Sequence, residues 1–189
     1  MEAIVLSKNN NLKIPELKKH LTDLDQKDLI KIITDLFKMN NEVKDFLNVK
    51  FLGDKVIKEL FERANDEIEN EFFPINGFGK MRLAKAKKAI SEYKKLTGDT
   101  VGTLDLMLCY VENGTAFTNT YGDIDERFYA SMESVYEKVV KACEKDESLF
   151  LKFQARLYSI VEETDGIGWG FHDHLSHVYY SISWLEKNR

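Results

Sequence analysis

Proline is nearly absent from these 189 residues, with Pro15 and Pro74 the only two. A chain that avoids proline while using Leu, Lys and Glu freely is suited to helices, whose interiors proline disrupts. Cysteine is equally scarce. Cys109 and Cys143 stand alone without CxxC spacing, which excludes a disulfide framework and suits a reducing compartment. No apolar run approaches the roughly 20 residues of a membrane-spanning helix. The apolar piece Ala3 to Leu6 is too short for a signal peptide, and its basic neighbour Lys8 lies on the wrong side. A cytoplasmic protein with no membrane partner is therefore expected. Strand-period alternation never persists beyond a few residues, so sheets are not expected. Excess positive charge is lacking too: 27 Lys and Arg against 32 Asp and Glu leave a net charge of −5, giving no general attraction to nucleic acid.

What remains is an ordinary folded composition, 43% hydrophobic and 31% charged, long enough for one sizeable core or two small subdomains. Pro15 marks a first helical turn that continues through Leu17 and Leu21. Asp25 reads as an N-cap for a helix carrying Leu29, Ile32, Ile33, Leu36 and Phe37 at three- and four-residue spacing. After Asn40-Asn41 a short helix with Val43, Phe46, Leu47 and Phe51 ends near Gly53. A longer helix over 54–71 stops at Pro74, and another follows over about 82–96. Gly98 ends it, and Asp99 caps a successor reaching Val111. The stretch 113–125, with two glycines, threonines and asparagines, reads as a turn-rich connection. Helices over 126–145 and 148–164 follow, then a glycine-aromatic turn and a last helix ending near Trp184 and Leu185.

Several turn motifs carry a resemblance. They are Ile14-Pro15-Glu16-Leu17-Lys18-Lys19, Phe72-Phe73-Pro74 with Gly77-Phe78-Gly79-Lys80, Tyr121-Gly122-Asp123-Ile124-Asp125, and Gly166-Ile167-Gly168-Trp169-Gly170-Phe171. Together they resemble a family of uncharacterised bacterial helical proteins classed as a domain of unknown function, over nearly the whole chain. The resemblance implies a bacterial origin and an all-α fold. It carries over no activity and no functional residue.

Histidines give the sharpest chemical pattern, since His172, His174 and His177 fall within six residues. His174 and His177 are three apart, one face of a helix, a spacing at which two imidazoles can share a metal ion. Asp123 or Asp125 from the preceding turn could complete a histidine-carboxylate set for zinc, iron or manganese. No cofactor is expected beyond such a divalent transition metal. Against this stands the plainer role of histidines that cap and hydrogen-bond, since no HExxH pattern is present. The Gly166–Phe171 string is either a rigid corner over buried aromatics or a pocket wall beside His172 and His174, facing Tyr121-Gly122-Asp123. Gly77-Phe78-Gly79-Lys80 offers glycine-rich backbone to an anion, though without P-loop spacing. No serine or cysteine stands near a histidine in a recognisable nucleophilic arrangement.

Charge is partitioned between two neighbouring helices. Residues 80–95 hold seven Lys or Arg against Glu92, while 54–71 hold seven acids against Lys55, Lys58 and Arg63. Mutual pairing is the simpler account; a nucleic-acid surface through Lys80, Arg82, Lys85 and Lys88 is the other.

The expectation is therefore an all-α fold of eight or nine helices. A three-helix module over 1–53 packs on a larger antiparallel bundle over 54–189 to make one compact unit. The leading function is a non-enzymatic helical binding or scaffold protein, with an unknown protein partner or with itself. The alternatives are a metal-dependent hydrolytic enzyme using His172, His174 and His177, and nucleic-acid binding through the basic helix 80–95.

Overall fold

Aspartate side chains open four helices. The backbone N–H of Asp28 donates to Asp25 Oδ1 (2.9 Å), that of Gly102 to Asp99 Oδ1 (3.0 Å) and that of Phe128 to Asp125 Oδ1 (2.8 Å). Asp146 Oδ1 accepts from the N–H groups of Ser148 and Leu149. Each satisfies a donor that the first helical turn leaves unpaired. The computed structural model describes residues 11–187, and among them there are ten helices and no strand. The chain is all-α. The apolar piece Ala3 to Leu6, weighed above as a leader, lies outside the described residues.

The helices are α1 (Ile14–Thr22), α2 (Gln26–Met39), α3 (Asn41–Leu52), α4 (Asp54–Phe72), α5 (Leu83–Thr97), α6 (Thr100–Tyr121), α7 (Glu126–Lys145), α8 (Glu147–Glu163), α9 (Phe171–Tyr180) and α10 (Trp184–Lys187). Two differences from the sequence reading have physical causes. Residues 113–121 are helical, because α6 runs unbroken to Tyr121. Its threonines and glycine are packing residues: Thr115 and Thr118 are buried, and Gly114 faces Met132 so closely that a Cβ there would meet the thioether. At the other end, the last long helix stops at Tyr180 instead of reaching Leu185. Ser183 donates its N–H and hydroxyl to Glu144 (2.9 and 2.7 Å), which turns the chain before the single turn of α10.

The chain divides into two compact units between Lys50 and Phe51. In the first unit α2 is strongly amphipathic. At about 100° per residue, Leu29, Ile30, Ile32, Ile33, Leu36, Phe37 and Met39 cover about half its circumference, and Lys27, Asp28, Lys31, Thr34, Asp35 and Lys38 the rest. No residue of α1, α2 or α3 is buried.

The second unit holds the core. Its central element is α6, packed against α4, α5, α7 and α8, while α9 packs on α7 and α8. Large side chains meet there: Phe72 sits edge-to-face on Tyr110, Phe117 and Phe128, and Tyr136 donates its hydroxyl to the Leu157 carbonyl at 3.0 Å. Burial pushes the hydroxyls of Tyr136 and Tyr110 up, that of Tyr110 to about 12, so both stay neutral.

Candidate functional site

Consecutive helices α4 to α9 are joined by short turns and pack as antiparallel neighbours, so three turns gather at one end of the second unit: 73–82, 122–125 and 164–170. Ring contacts join the first to the end of α6. Tyr121 lies 6.4 Å from Phe73, 6.3 Å from Phe78 and 4.6 Å from Phe117. The second and third turns meet through Asp123. Tyr129, buried on α7, donates its hydroxyl to Asp123 Oδ1 (3.1 Å) and accepts the Ile124 N–H (3.3 Å). The other carboxylate oxygen lies against Gly168, where a Cβ would stand 2.9 Å from it. A side chain at Gly168 would push the Asp123 carboxylate aside. The facing of the Tyr121–Asp123 turn and the glycine-aromatic turn, read from sequence, is present in the structure.

Large apolar side chains at this end point outward. Ile75 is 95% exposed, Phe78 82% and Trp169 60%, with Phe73 and Tyr121 also exposed. Two of the turns hold a non-glycine residue in the left-handed region, Met81 (φ 48°) and Trp169 (φ 63°), at a cost of about 1–2 kcal/mol each. Trp169 is thus held outward on an unfavourable backbone.

The 73–82 turn is anchored from below. Glu71 is buried, and its carboxylate accepts the Arg82 N–H and guanidinium and lies 3.2 Å from Lys85 Nζ. The Arg82 guanidinium holds the Glu71 carboxyl down at about 2, from an ordinary 4.5. At the start of α5 the Arg82 N–H and two cations thus meet the protein's own carboxylate.

The histidines are engaged separately. Thr164, fully buried, gives its only hydroxyl proton to the Val161 carbonyl (2.7 Å), so His172 Nδ1, 3.1 Å away, is the donor to Thr164 Oγ1. His172 Nε2 then faces Ser176 Oγ at 3.4 Å. His174 Nε2 pairs with Glu137 Oε1 at 3.1 Å, and Glu137 also binds Lys141. His177 is exposed. Asp125 is used as the cap of α7, and Asp123 is held by Tyr129. The structure brings Asp123 beside the glycine-aromatic turn but gives the rings of His172 and His174 different partners. Among the described residues, no three or more His, Cys, Asp or Glu side chains are arranged to hold one metal ion.

The basic helix is also occupied. Arg82 and Lys85 bind Glu71, Lys88 pairs with Glu92 (3.2 Å), and Lys87 donates to Ser131 Oγ (2.7 Å). Two of these cations, Arg82 and Lys85, reach the end of the acidic helix through one buried carboxylate, Glu71.

Two features escaped the sequence reading. The first is the Ser176–His172–Thr164 chain, whose i, i+4 spacing was available but whose Thr164 lies in the preceding turn. The second is Arg156 of α8. It donates Nε and Nη2 to Glu112 (both 2.7 Å), Nη1 to Asp105, and Nη2 to Cys109 Sγ (3.4 Å). Although burial pulls it down, these carboxylates hold the guanidinium above its ordinary value. The stripe Asp105, Cys109, Glu112 on one face of α6 was its only signal. Beside it, an open groove of about 290 Å³ is lined by Glu112, Asn113, Ala116, Ser159, Ile160 and Glu163. It is smaller than the ~300–1,000 Å³ of sites that enclose a small molecule.

Among the described residues no helix is long and apolar enough to cross a membrane. Neither a curated protein nor a solved structure matches the chain. A family of unknown function, DUF6155, matches residues 12–182, nearly the whole of the chain, and the protein belongs to that family.

Proposed function

We propose that the protein is a non-enzymatic helical binding protein that uses the three-turn end of its second unit to hold an apolar, basic segment of another protein. The observation that carries this reading is the outward display of Ile75, Phe78 and Trp169 on turns anchored by part-buried hydrogen bonds. Large apolar side chains exposed together mark interaction surfaces, and Trp and Phe are the residues that dominate binding energies. Strained backbone at Met81 and Trp169 supports it, because at Trp169 the cost is borne while the indole stays 60% exposed.

Charge argues for the sign of the partner. Around the second and third turns, Asp123, Asp125, Glu126, Glu162, Glu163 and Asp165 are all exposed against Arg127. Acidic groups on the second and third turns, beside Trp169, favour Lys or Arg flanking the partner's apolar residues there, and disfavour nucleic acid and anionic lipid. Engagement of Arg82, Lys85 and Lys88 with carboxylates favours it over nucleic-acid binding by that helix. Two free thiols fit a reducing cytoplasm, and the turn motifs a bacterial source.

A short-peptide display library selected on the protein tests this. The expected ligands pair aromatic or aliphatic residues with Lys or Arg. Their binding is lost in the triple variant Ile75→Ser, Phe78→Ser, Trp169→Gly, while its melting temperature stays near that of the parent. Ligands that bind parent and variant alike would refute the assignment.

A further inference from the structure

We infer, resting on the peptide-binding role proposed above, that the partner's cation is a lysine, whose side-chain ammonium is received by Asp123 beside Trp169. That role leaves the cation as Lys or Arg; the surroundings of Asp123 choose between them.

An exposed aspartate is ordinarily free to change rotamer, and ordering it against a cation costs entropy, so most surface ion pairs contribute little. Asp123 is exposed, yet its carboxylate is fixed from below. Tyr129 is 1% exposed, and its oxygen already accepts the Ile124 N–H (3.3 Å), so its single proton is given to Asp123 Oδ1 (3.1 Å). On the other side, Oδ2 lies against Gly168, in room that a Cβ there would take. A carboxylate ordered in advance binds a cation at less entropic cost than a mobile one. Among the described residues, no cation and no second donor meets Asp123. Its neighbour Asp125 is committed as the cap of α7.

Arginine meets a carboxylate best with a planar fork on both oxygens. Arg82 does this at Glu71, where Nε donates to Oε2 (2.9 Å) and Nη2 to Oε1 (2.8 Å). At Asp123 the tyrosine holds one oxygen, and the position left suits the compact charge of a lysine ammonium. Trp169 follows Gly168 in the chain and is 60% exposed. A lysine stem can lie along such apolar surface while its head reaches the carboxylate, and an indole face attracts an ammonium.

The test uses short peptides recovered on the full chain from a display library and dependent on Ile75, Phe78 and Trp169. They are synthesised with acetylated N-termini, so that lysine side chains carry their only ammonium groups. Affinity is read by fluorescence anisotropy with each lysine kept, changed to Arg, or changed to norleucine, which keeps the stem without the charge. Lysine is expected to bind tighter than Arg, and norleucine about tenfold weaker than lysine, the order expected for a hydrogen bond to a charged group. Asp123→Asn keeps an acceptor for Tyr129. It is expected to weaken the lysine peptide about tenfold, to leave the norleucine peptide unchanged, and to melt with the parent. Tyr129→Phe opens both oxygens and is expected to narrow the preference for Lys over Arg. Lysine peptides held as tightly by Asp123→Asn as by the parent overturn the inference and leave the proposed role standing. Arginine bound as tightly as lysine overturns the choice of lysine, and a preference unchanged in Tyr129→Phe overturns the tyrosine's part in it. If no recovered peptide depends on Ile75, Phe78 and Trp169, the proposed role and this inference fall together.

Discussion

The Glu71 carboxylate, 1% exposed, takes three hydrogen bonds from Arg82, one from the backbone N–H at 3.3 Å and two from the guanidinium at 2.9 and 2.8 Å. This pair joins the end of α4 to the start of α5 across the 73–82 turn. Replacing Glu71 with Gln removes the charge and leaves Arg82 and Lys85 without their shared partner. We expect a loss of about 2–3 kcal/mol at neutral pH, below the ~3–5 of a fully buried pair because Arg82 is half exposed. The folded carboxyl, at about 2, lies below its ordinary 4.5, so its stabilisation is complete above about pH 4.5 and fades as pH falls toward 2. Urea unfolding of parent and variant across that window should show their difference shrinking with acid. A pH-independent difference would mean that the charge is not the cause.

Arg156→Lys tests the other ion-pair centre. A lysine ammonium cannot span Glu112 and Asp105 with a planar fork, so one carboxylate on α6 loses its partner. The expected loss is about 1–3 kcal/mol by denaturant unfolding. A lysine variant as stable as the parent would show that simple charge balance, and not fork geometry, suffices here.

The thiols give a probe of local opening. Burial pushes the Cys143 thiol up to about 11 and raises that of Cys109 as well, so neither is a ready thiolate at neutral pH. Disulfide-exchange reagents should therefore modify Cys143 only as fast as the α7–α8 region opens. Labelling at the rate of a free thiol would contradict its burial.

How much of this was legible in the sequence varies with the range of the interaction. Local signals were reliable. Asp25 and Asp99 were readable as caps because an N-cap acts within three residues. Pro74 marked the end of α4, and Gly98, in the left-handed region at φ 65°, the end of α5. The error over 113–121 has a clear cause: Thr, Asn and Gly score as turn residues in isolation. In α6 they permit close packing, and Asn113 and Thr120 return an amide and a hydroxyl to the helix, at the carbonyls of Cys109 and Ala116 (both 2.8 Å). Long-range partners were invisible. Nothing in the neighbourhood of Arg156 announces acids 44 and 51 residues earlier. The histidine spacing could be read, but the direction of each ring depends on Thr164 and Glu137, which belong to other turns of the fold.

Trp169→Gly is expected to cost far less than the deletion of a core tryptophan. The φ of 63° is favourable for glycine, and the indole is mostly exposed, so little burial is lost. Relief of about 1–2 kcal/mol of backbone strain roughly offsets the added freedom of the unfolded chain. Thermal melting should place the variant within about 1 kcal/mol of the parent, against the ~3–5 lost when a core aromatic is removed. A core-sized loss would show that the indole is a packing residue.

The separation of Arg156 from its carboxylates also has a meaning in time. On the ribosome, α6 emerges with Asp105 and Glu112 already in place, and their cation follows 51 and 44 residues later. At ~5–20 residues per second that is an interval of roughly 2–10 seconds, long beside helix formation. During it the acidic stripe stays hydrated, which keeps that side of the nascent helix from sticking to other chains. Arrival of α8 then closes the stripe by bringing Arg156 to both carboxylates.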